Sequence, residues 1–308
     1  MTFLYKSDPV RGAVWARLFA EKAPYLQFRM WPDVGDSHAI RYLATWTLPE
    51  QLDEAFPNLE VLFSVAAGVD QIDFSGVPSH IPVVRMVEPA LVNGMVEYVT
   101  EAVISVQRDL LDYAHQQRAQ EWRAWPVRSA SQTRVGVMGL GILGTAVLAR
   151  MRLFGYQCSG WNRSIRSLDG VDCFAGTDEL KEFLARTDVL ICLLPLTDET
   201  RGILSRAVLE GLPKGASLIQ TGRGPHLDHE ALLDLLESGH IRSAYLDVTD
   251  PEPLPIEHPL WTHPRVRITP HIASATRPES AVDVVLDNIR RYECGVPMIG
   301  LVDRKRGY

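Results

Sequence analysis

Residues 133–164 read TRVGVMGLGILGTAVLARMRLFGYQCSGWNRS, and the fold is decided in this stretch. Arg134 to Met138 has the composition of a short buried strand, with Val135 and Val137 set between small neighbours. Gly139-Leu140-Gly141-Ile142-Leu143-Gly144 follows, a G-x-G-x-x-G. Thr145 to Phe154 contains no Gly or Pro, and Ala146, Leu148, Ala149, Met151 and Leu153 give a helix its apolar cover. Gly155 stops that helix, and Tyr156 to Trp161 reads as a second strand. Strand, glycine turn, helix and strand make one βαβ unit that opens on a dinucleotide site. Gly139 allows the tight turn. Gly141 lets the backbone approach a pyrophosphate, which sits on the free N–H groups of the helix start, where Ile142 and Leu143 stand. Gly144 lets the helix pack close.

Outward from this unit, the 308 residues suffice for two domains. Apolar residues make up 46% and charged residues 22%, the balance of an ordinary globular chain. A net charge of −7 argues against nucleic acid as a partner. No apolar run reaches the ~18 residues of a membrane span. The beginning, Met1 to Asp8, lacks a signal-peptide pattern. Cys158, Cys173, Cys192 and Cys294 are scattered, so neither disulfides nor a metal site is expected and the cytoplasm is the default location.

Before the glycine turn, strands are expected at Phe3–Tyr5, Leu26–Met30, Ala39–Thr45, Glu60–Val65 and Pro82–Met86, with a helix over Val14–Glu21. Alternation of this kind implies a parallel sheet with helices outside. Met95 to Gln117 is free of Gly and Pro and predicts one long connecting helix. Ala119 to Pro126, with Trp122 and Trp125, predicts a surface loop. After Trp161, strands are expected at Val189–Leu194, Ala216–Gln220, Ala244–Val248 and Val266–Thr269. Thr177, Ser205 and Asp228 are the expected caps of the helices between them, and Ser280 to Cys294 is the last helix. Polar residues stand just past the apolar strands, where open parallel sheets bind ligands.

Three strand ends offer a chemical set. Arg223 lies in Thr221-Gly222-Arg223-Gly224, Glu252 in Asp250-Pro251-Glu252-Pro253, and His271 follows Pro270. A planar guanidinium grips the carboxylate and carbonyl of a 2-oxo acid with two parallel hydrogen bonds. A histidine passes a proton to the oxygen formed when a carbonyl accepts hydride. A carboxylate on the other ring nitrogen fixes its tautomer. Trp46 follows a strand and is read either as overhanging the substrate or as a packing residue. Arg85 and Arg108 are read either as binding an acidic substrate or a partner subunit or, the favoured reading for each, as making a surface salt bridge, and His115 and His240 are read as solvated.

The stretches GLGILG, TGRGPHLD, LDVTDPEPLPIEHPLW and TPHIAS resemble the D-isomer-specific 2-hydroxyacid dehydrogenases, in that family's order and spacing over nearly the whole chain. LFSVAAGVDQID, NGMVEYV, the Trp122 to Pro126 stretch and the ending LVDRKRGY are similar to its glyoxylate/hydroxypyruvate reductase A group. The resemblance implies an α/β protein of two Rossmann-like doubly wound parallel-sheet domains with the active site in the cleft between them. Residues 1–96 with 277–308 would form the substrate-binding domain and 97–276 the dinucleotide-binding domain. By resemblance Arg223 orients substrate, Glu252 assists, His271 is the acid/base, and the amides of Ala67 and Gly68 hold the substrate carboxylate. Asp247 would lie near the nicotinamide carboxamide, and Leu194, Pro195, Thr221 and Gly222 would line the cofactor. A homodimer is implied. Gln220 and Thr249 depart from the family pattern, which more often has Asn and Phe there.

The cofactor is read from the residues themselves. An acid about 20 residues past the glycine turn selects NAD through the ribose 2′-OH. Here Trp161-Asn162-Arg163-Ser164 puts neutral Asn162 in that place, with Arg163 able to pair a 2′-phosphate, Ser164 able to donate to it and Arg166 nearby. NADPH is expected to be preferred, with NADH possible. The alternatives are the same fold acting on a bulkier 2-oxo acid or on phosphite, and a nucleotide-sensing binding protein without turnover.

Overall fold

The computed structural model describes residues 1–308. The chain divides into two units, Met1–Leu91 with Ala275–Tyr308, and Val92–Ser274. In the first, β1 (Thr2–Lys6), α1 (Pro9–Lys22), β2 (Gln27–Met30), β3 (Ile40–Thr45), α2 (Leu52–Ala55), β4 (Val61–Ser64) and β5 (Val83–Val84) follow in turn. Their five strands form one parallel sheet in the order β2-β1-β3-β4-β5. Helix α1 starts earlier than Val14 because the Asp8 carboxylate accepts the Arg11 N–H at 2.7 Å and Pro9 suits the first turn. Its Trp15 and Phe19 bury themselves against Phe3 of β1, the Phe3 and Phe19 centroids 4.5 Å apart.

The chain enters the second unit along α3 (Pro89–Gln107), followed by α4 (Leu110–Arg118). The single helix expected over residues 95–117 is therefore two. Asp109 sits in the left-handed region, φ +57°, and turns the chain between them. Its carboxylate lies 2.7 Å from Arg242, so a tertiary ion pair outweighs local helix propensity. Residues 119–129 carry no helix or strand.

Then come β6 (Arg134–Met138), α5 (Ile142–Leu153), β7 (Gln157–Asn162), β8 (Asp172–Ala175), α6 (Gly176–Ala185), β9 (Val189–Cys192), α7 (Arg206–Glu210), β10 (Ala216–Gln220), α8 (His229–Glu237), β11 (Ile241–Leu246) and β12 (Val266–Ile268). All seven strands are parallel, in the order β12-β11-β10-β9-β6-β7-β8. The order reverses between β6 and β9, which makes the carboxyl ends of those two strands the binding crevice of this sheet. The edge strand β8 was not expected. Thr177 is not the cap of α6: Ala175 holds that position, and Glu179 reaches back to its N–H at 2.5 Å. Asp228 caps α8 through the Ala231 N–H.

Helix α9 (Pro278–Glu293) belongs to the first unit again. Buried Glu88 caps two helices at once, accepting from the Ala90 N–H at the start of α3 and from the Arg277 N–H and Ser280 hydroxyl at the start of α9.

Arg134 and Asp188 pin the entry of β6 to the residue before β9, with Nη2 to Oδ1 at 2.6 Å, Nε to Oδ2 at 3.0 Å and the Arg134 N–H to Oδ2 at 3.0 Å. Burial pushes the Asp188 carboxyl up, but the hydrogen bonds and charge of Arg134 outweigh it and hold it below the ordinary carboxylate value. A depressed native pKa adds stability above the unfolded value and loses it as pH falls through the folded one. Asp188→Asn is expected to cost about 1–3 kcal/mol near neutral pH. In urea titrations the gap to wild type should close as pH is lowered below about 4; a gap independent of pH would contradict this.

Candidate active site

At the end of β6 each glycine of the turn has a structural reason. Gly139 has φ +103°, and a Cβ there would stand 2.8 Å from the Leu193 carbonyl oxygen beyond β9. Gly141 caps α5, and a Cβ on it would meet nothing within 4 Å, so its face is open. A Cβ on Gly144 would overlap the Gly139 carbonyl, which is why the helix can sit this close to the turn. Ile142 and Leu143 open α5, and first-turn amides have no acceptor inside a helix. An open glycine face in front of free amides at a switch point fits a dinucleotide pyrophosphate.

At the end of β7, Asn162 accepts the Leu140 N–H at 3.4 Å and donates to the Ser164 carbonyl at 3.1 Å, tying the glycine turn to the following segment. Arg163, Ser164 and Arg166 are exposed, and the Arg163 guanidinium donates to Glu199 at 2.9 Å. No acidic side chain occupies the Asn162 position, so the residues present fit a 2′-phosphate better than a bare ribose.

Past β11 and β12 lies the chemical set. His271 Nδ1 is 3.0 Å from Glu252 Oε2, both side chains about 40% exposed at 39% and 41%. With a carboxylate facing it, Nδ1 holds its hydrogen and leaves Nε2 for other work. The other Glu252 oxygen accepts the Thr249 N–H at 3.2 Å, which fixes the carboxylate. Arg223 is half-buried in the turn after β10, and its Nη1 donates to the Gly222 carbonyl at 2.8 Å. Gly224 presses that turn onto the next one: a Cβ there would overlap the Thr249 carbonyl and lie 2.7 Å from the Asp250 nitrogen. The turns that carry Arg223 and Glu252 are thus in backbone contact. Both departures from the family pattern have local partners. Gln220 donates to the Arg223 carbonyl at 2.9 Å and accepts the Gly222 N–H, and the Thr249 hydroxyl donates to Pro251.

Asp247 is buried and all its bonds are internal. Oδ1 accepts from the Thr269 hydroxyl at 2.6 Å and the Ile272 N–H at 2.8 Å, and Oδ2 from the Ala273 N–H at 2.8 Å. Tyr98 donates in turn to Thr269 at 2.7 Å, and burial pushes its phenol up to about 12. His226 was not singled out in the sequence, although it stands inside TGRGPHLD. Fully buried, it accepts the Arg223 N–H on Nδ1 at 3.1 Å, and its Nε2 lies 3.3 Å from the Pro195 carbonyl. One imidazole therefore joins the Leu194–Pro195 end to the Arg223 turn. Thr221, also buried, bonds the Cys192 carbonyl.

In the first unit, Trp46 follows β3 and is 44% exposed. Ala67 and Gly68 lie in the turn after β4. Arg85 makes no surface salt bridge: burial lowers its pKa, and its Nη1 lies 3.5 Å from the Ala67 carbonyl. Arg108 is exposed without an ion-pair partner, so neither arginine behaves as expected. His240 is part-buried, its Nε2 3.2 Å from the Leu209 carbonyl, while His115 is exposed.

A glycine turn at a switch point, followed at neighbouring strand ends by a guanidinium and a carboxylate–imidazole pair, defines a dinucleotide-dependent dehydrogenase. Residues 100–273 match the family model described as D-isomer specific 2-hydroxyacid dehydrogenase, NAD binding domain. The chain belongs to the D-isomer-specific 2-hydroxyacid dehydrogenase family. It is 36% identical, over the full length of both chains, to the glyoxylate/hydroxypyruvate reductase A of Salmonella heidelberg (strain SL476). A 2-hydroxyacid dehydrogenase of this family from Xanthobacter autotrophicus Py2, solved with NADPH and MES, superposes with a TM-score of 0.95 at 37% identity, covering 100% of this chain and 99% of that one. The NADPH-dependent glyoxylate/hydroxypyruvate reductase of Sinorhizobium meliloti, solved with NADP and sulfate, gives 0.91 at 30% identity over 100% and 99%.

Asp247→Ala would leave the buried Ala273 amide without an acceptor, at a cost of about 1–3 kcal/mol. Lower thermal stability and faster amide exchange at Ala273 are expected; unchanged exchange there would mean that Asp247 does not hold this loop.

Proposed function

We propose that this protein reduces small 2-oxo acids, glyoxylate and hydroxypyruvate first, to 2-hydroxy acids with NADPH. The observation that carries the chemistry is the 3.0 Å contact between His271 Nδ1 and Glu252. The bound cofactor supplies a hydride to the substrate carbonyl carbon. Arg223 orients the substrate and draws charge toward its carbonyl oxygen. His271 delivers a proton from Nε2 to that oxygen, and Glu252 holds the ring in register through Nδ1. The full-length likeness to proteins named glyoxylate/hydroxypyruvate reductases supports the choice of substrate. A cytoplasmic homodimer is part of the same reading, and no helix is long and apolar enough to cross a membrane.

Steady-state reduction of glyoxylate, hydroxypyruvate, pyruvate and phenylpyruvate with each cofactor tests the reading. Tight NADPH binding without turnover of any of them would favour a sensing protein instead. His271→Ala is expected to lower kcat by roughly 10²- to 10⁴-fold with little change in cofactor affinity; a near-normal kcat would remove it from the role. Arg223→Lys should fail to restore wild-type kcat/KM, because an ammonium lacks the fork. A fully active Lys variant would show that charge alone suffices.

Cofactor choice is tested at the end of β7. Arg163→Ala should weaken NADPH about 10- to 100-fold and leave NADH nearly unchanged, the scale of one charge-assisted hydrogen bond. Asn162→Asp added to it should tilt kcat/KM toward NADH. A wild type equally efficient with both cofactors would sink the assignment.

A further inference from the structure

Arg223 stands between Gly222 and Gly224, so no neighbouring side chain sets the direction of its peptides. Its guanidinium is nonetheless directed, because Nη1 donates to the Gly222 carbonyl at 2.8 Å. That carbonyl and the Arg223 N–H belong to one planar trans peptide and point to opposite sides of it. The N–H is taken by Nδ1 of His226 at 3.1 Å. Holding one end of a planar unit fixes the other. The imidazole therefore acts on the guanidinium through a single rigid peptide.

His226 can do this in one state only. A fully buried ring needs a partner on both nitrogens. Nδ1 accepts from the Arg223 N–H, and the Cys192 thiol, pushed up to about 12 by burial, lies 3.8 Å from the same nitrogen. The ring hydrogen thus sits on Nε2, 3.3 Å from the Pro195 carbonyl, which accepts it. The Thr200 hydroxyl donates to that carbonyl at 2.7 Å, so the far anchor is held too. The backbone of His226 is tied down as well: its N–H donates to the Arg223 carbonyl at 3.1 Å, and its carbonyl accepts the Leu204 N–H at 2.8 Å. Glycine at 222 makes room for the ring, since a Cβ there would stand 2.9 Å from Nδ1.

We propose that His226 is a positioning residue for substrate orientation, setting the direction of the Arg223 guanidinium through the Gly222–Arg223 peptide. That the guanidinium acts on a 2-oxo acid rests on the function proposed above; the link from His226 to Arg223 does not. Because Arg223 both holds the substrate and draws charge toward its carbonyl oxygen, loss of its direction lowers kcat as well as raising KM. A side chain that merely filled the space would be replaceable by any other of similar volume.

His226→Asn, His226→Gln and His226→Leu separate the two ring bonds. Asn offers an amide oxygen where Nδ1 stands and gives up the Pro195 bond. Gln offers an amide nitrogen where Nε2 stands and gives up the Arg223 bond, and Leu gives up both. Gln and Leu are expected to lower kcat/KM for glyoxylate about 10- to 100-fold and to speed amide exchange at Arg223, with NADPH affinity within about threefold of wild type. Asn should restore most of the turnover and the slow exchange. The proposal is overturned if Asn is no better than Gln, or if Leu turns over glyoxylate like the wild type. So it is if stability, NADPH affinity and turnover fall together in all three variants, since that marks a structural histidine. Nitrogen NMR of the wild type should place the His226 hydrogen on Nε2; a hydrogen on Nδ1 overturns the link outright. Arg223 exchange that is slow in Asn and fast in Gln, in a protein that reduces no 2-oxo acid, would uphold the link and overturn the function. Turnover of 2-oxo acids indifferent to all three substitutions would do the reverse.

Discussion

The carboxylate of Asp247 holds the segment that carries His271. His271 adopts φ +54°, a left-handed conformation that costs a non-glycine residue of order 1 kcal/mol. Such a conformation persists only where its surroundings over-determine it. Here the His271 N–H reaches the carbonyls of Asp247 and Thr269 at 2.9 and 3.0 Å, while the Asp247 side chain takes the next two amides. The strained residue is clamped on both sides, and its ring is aimed at Glu252 rather than left to choose a rotamer. The resemblance places Asp247 near the nicotinamide carboxamide; in the protein itself its two oxygens accept from Thr269, Ile272 and Ala273, which fixes the loop.

Close backbone approach is the second constraint. Gly139 touches the exit of β9, and Gly224 presses the Arg223 turn onto Thr249 and Asp250. These contacts transmit position from one strand end to the next without flexible side chains. Buried His226 adds a directional link between Pro195 and the Arg223 amide. A turn held by backbone contacts and a buried imidazole is stiff, so Arg223 is carried on a fixed backbone.

What could be seen in the sequence follows from how local each signal is. The βαβ unit is written in 32 consecutive residues, and glycine spacing alone reports its turn. Arg223, Glu252 and His271 are visible because each follows an apolar run, although only folding brings Glu252 and His271 to 3.0 Å. Asp109 was invisible as a break because no local feature forbids helix there; its partner Arg242 is 133 residues away. The edge strand β8, four residues with a polar start, lacks the apolar length of its central neighbours. Arg85 was misplaced for a related reason: composition marks an arginine as a surface ion-pair partner, and only the packing around β5 shows that it is part-buried and faces the Ala67 carbonyl.

Magnitudes decide how the Arg163 and Glu199 pair bears on the proposed cofactor. Both side chains are about half exposed or more, at 48% and 68%, and such surface pairs are worth roughly 0–1 kcal/mol. A charge-assisted bond to a phosphate contributes about 1.5–3 kcal/mol. On these magnitudes the surface pair with Glu199 is too weak to stand against the 2′-phosphate contact proposed for Arg163. Neutral Asn162, at the same strand end, braces Leu140 and Ser164.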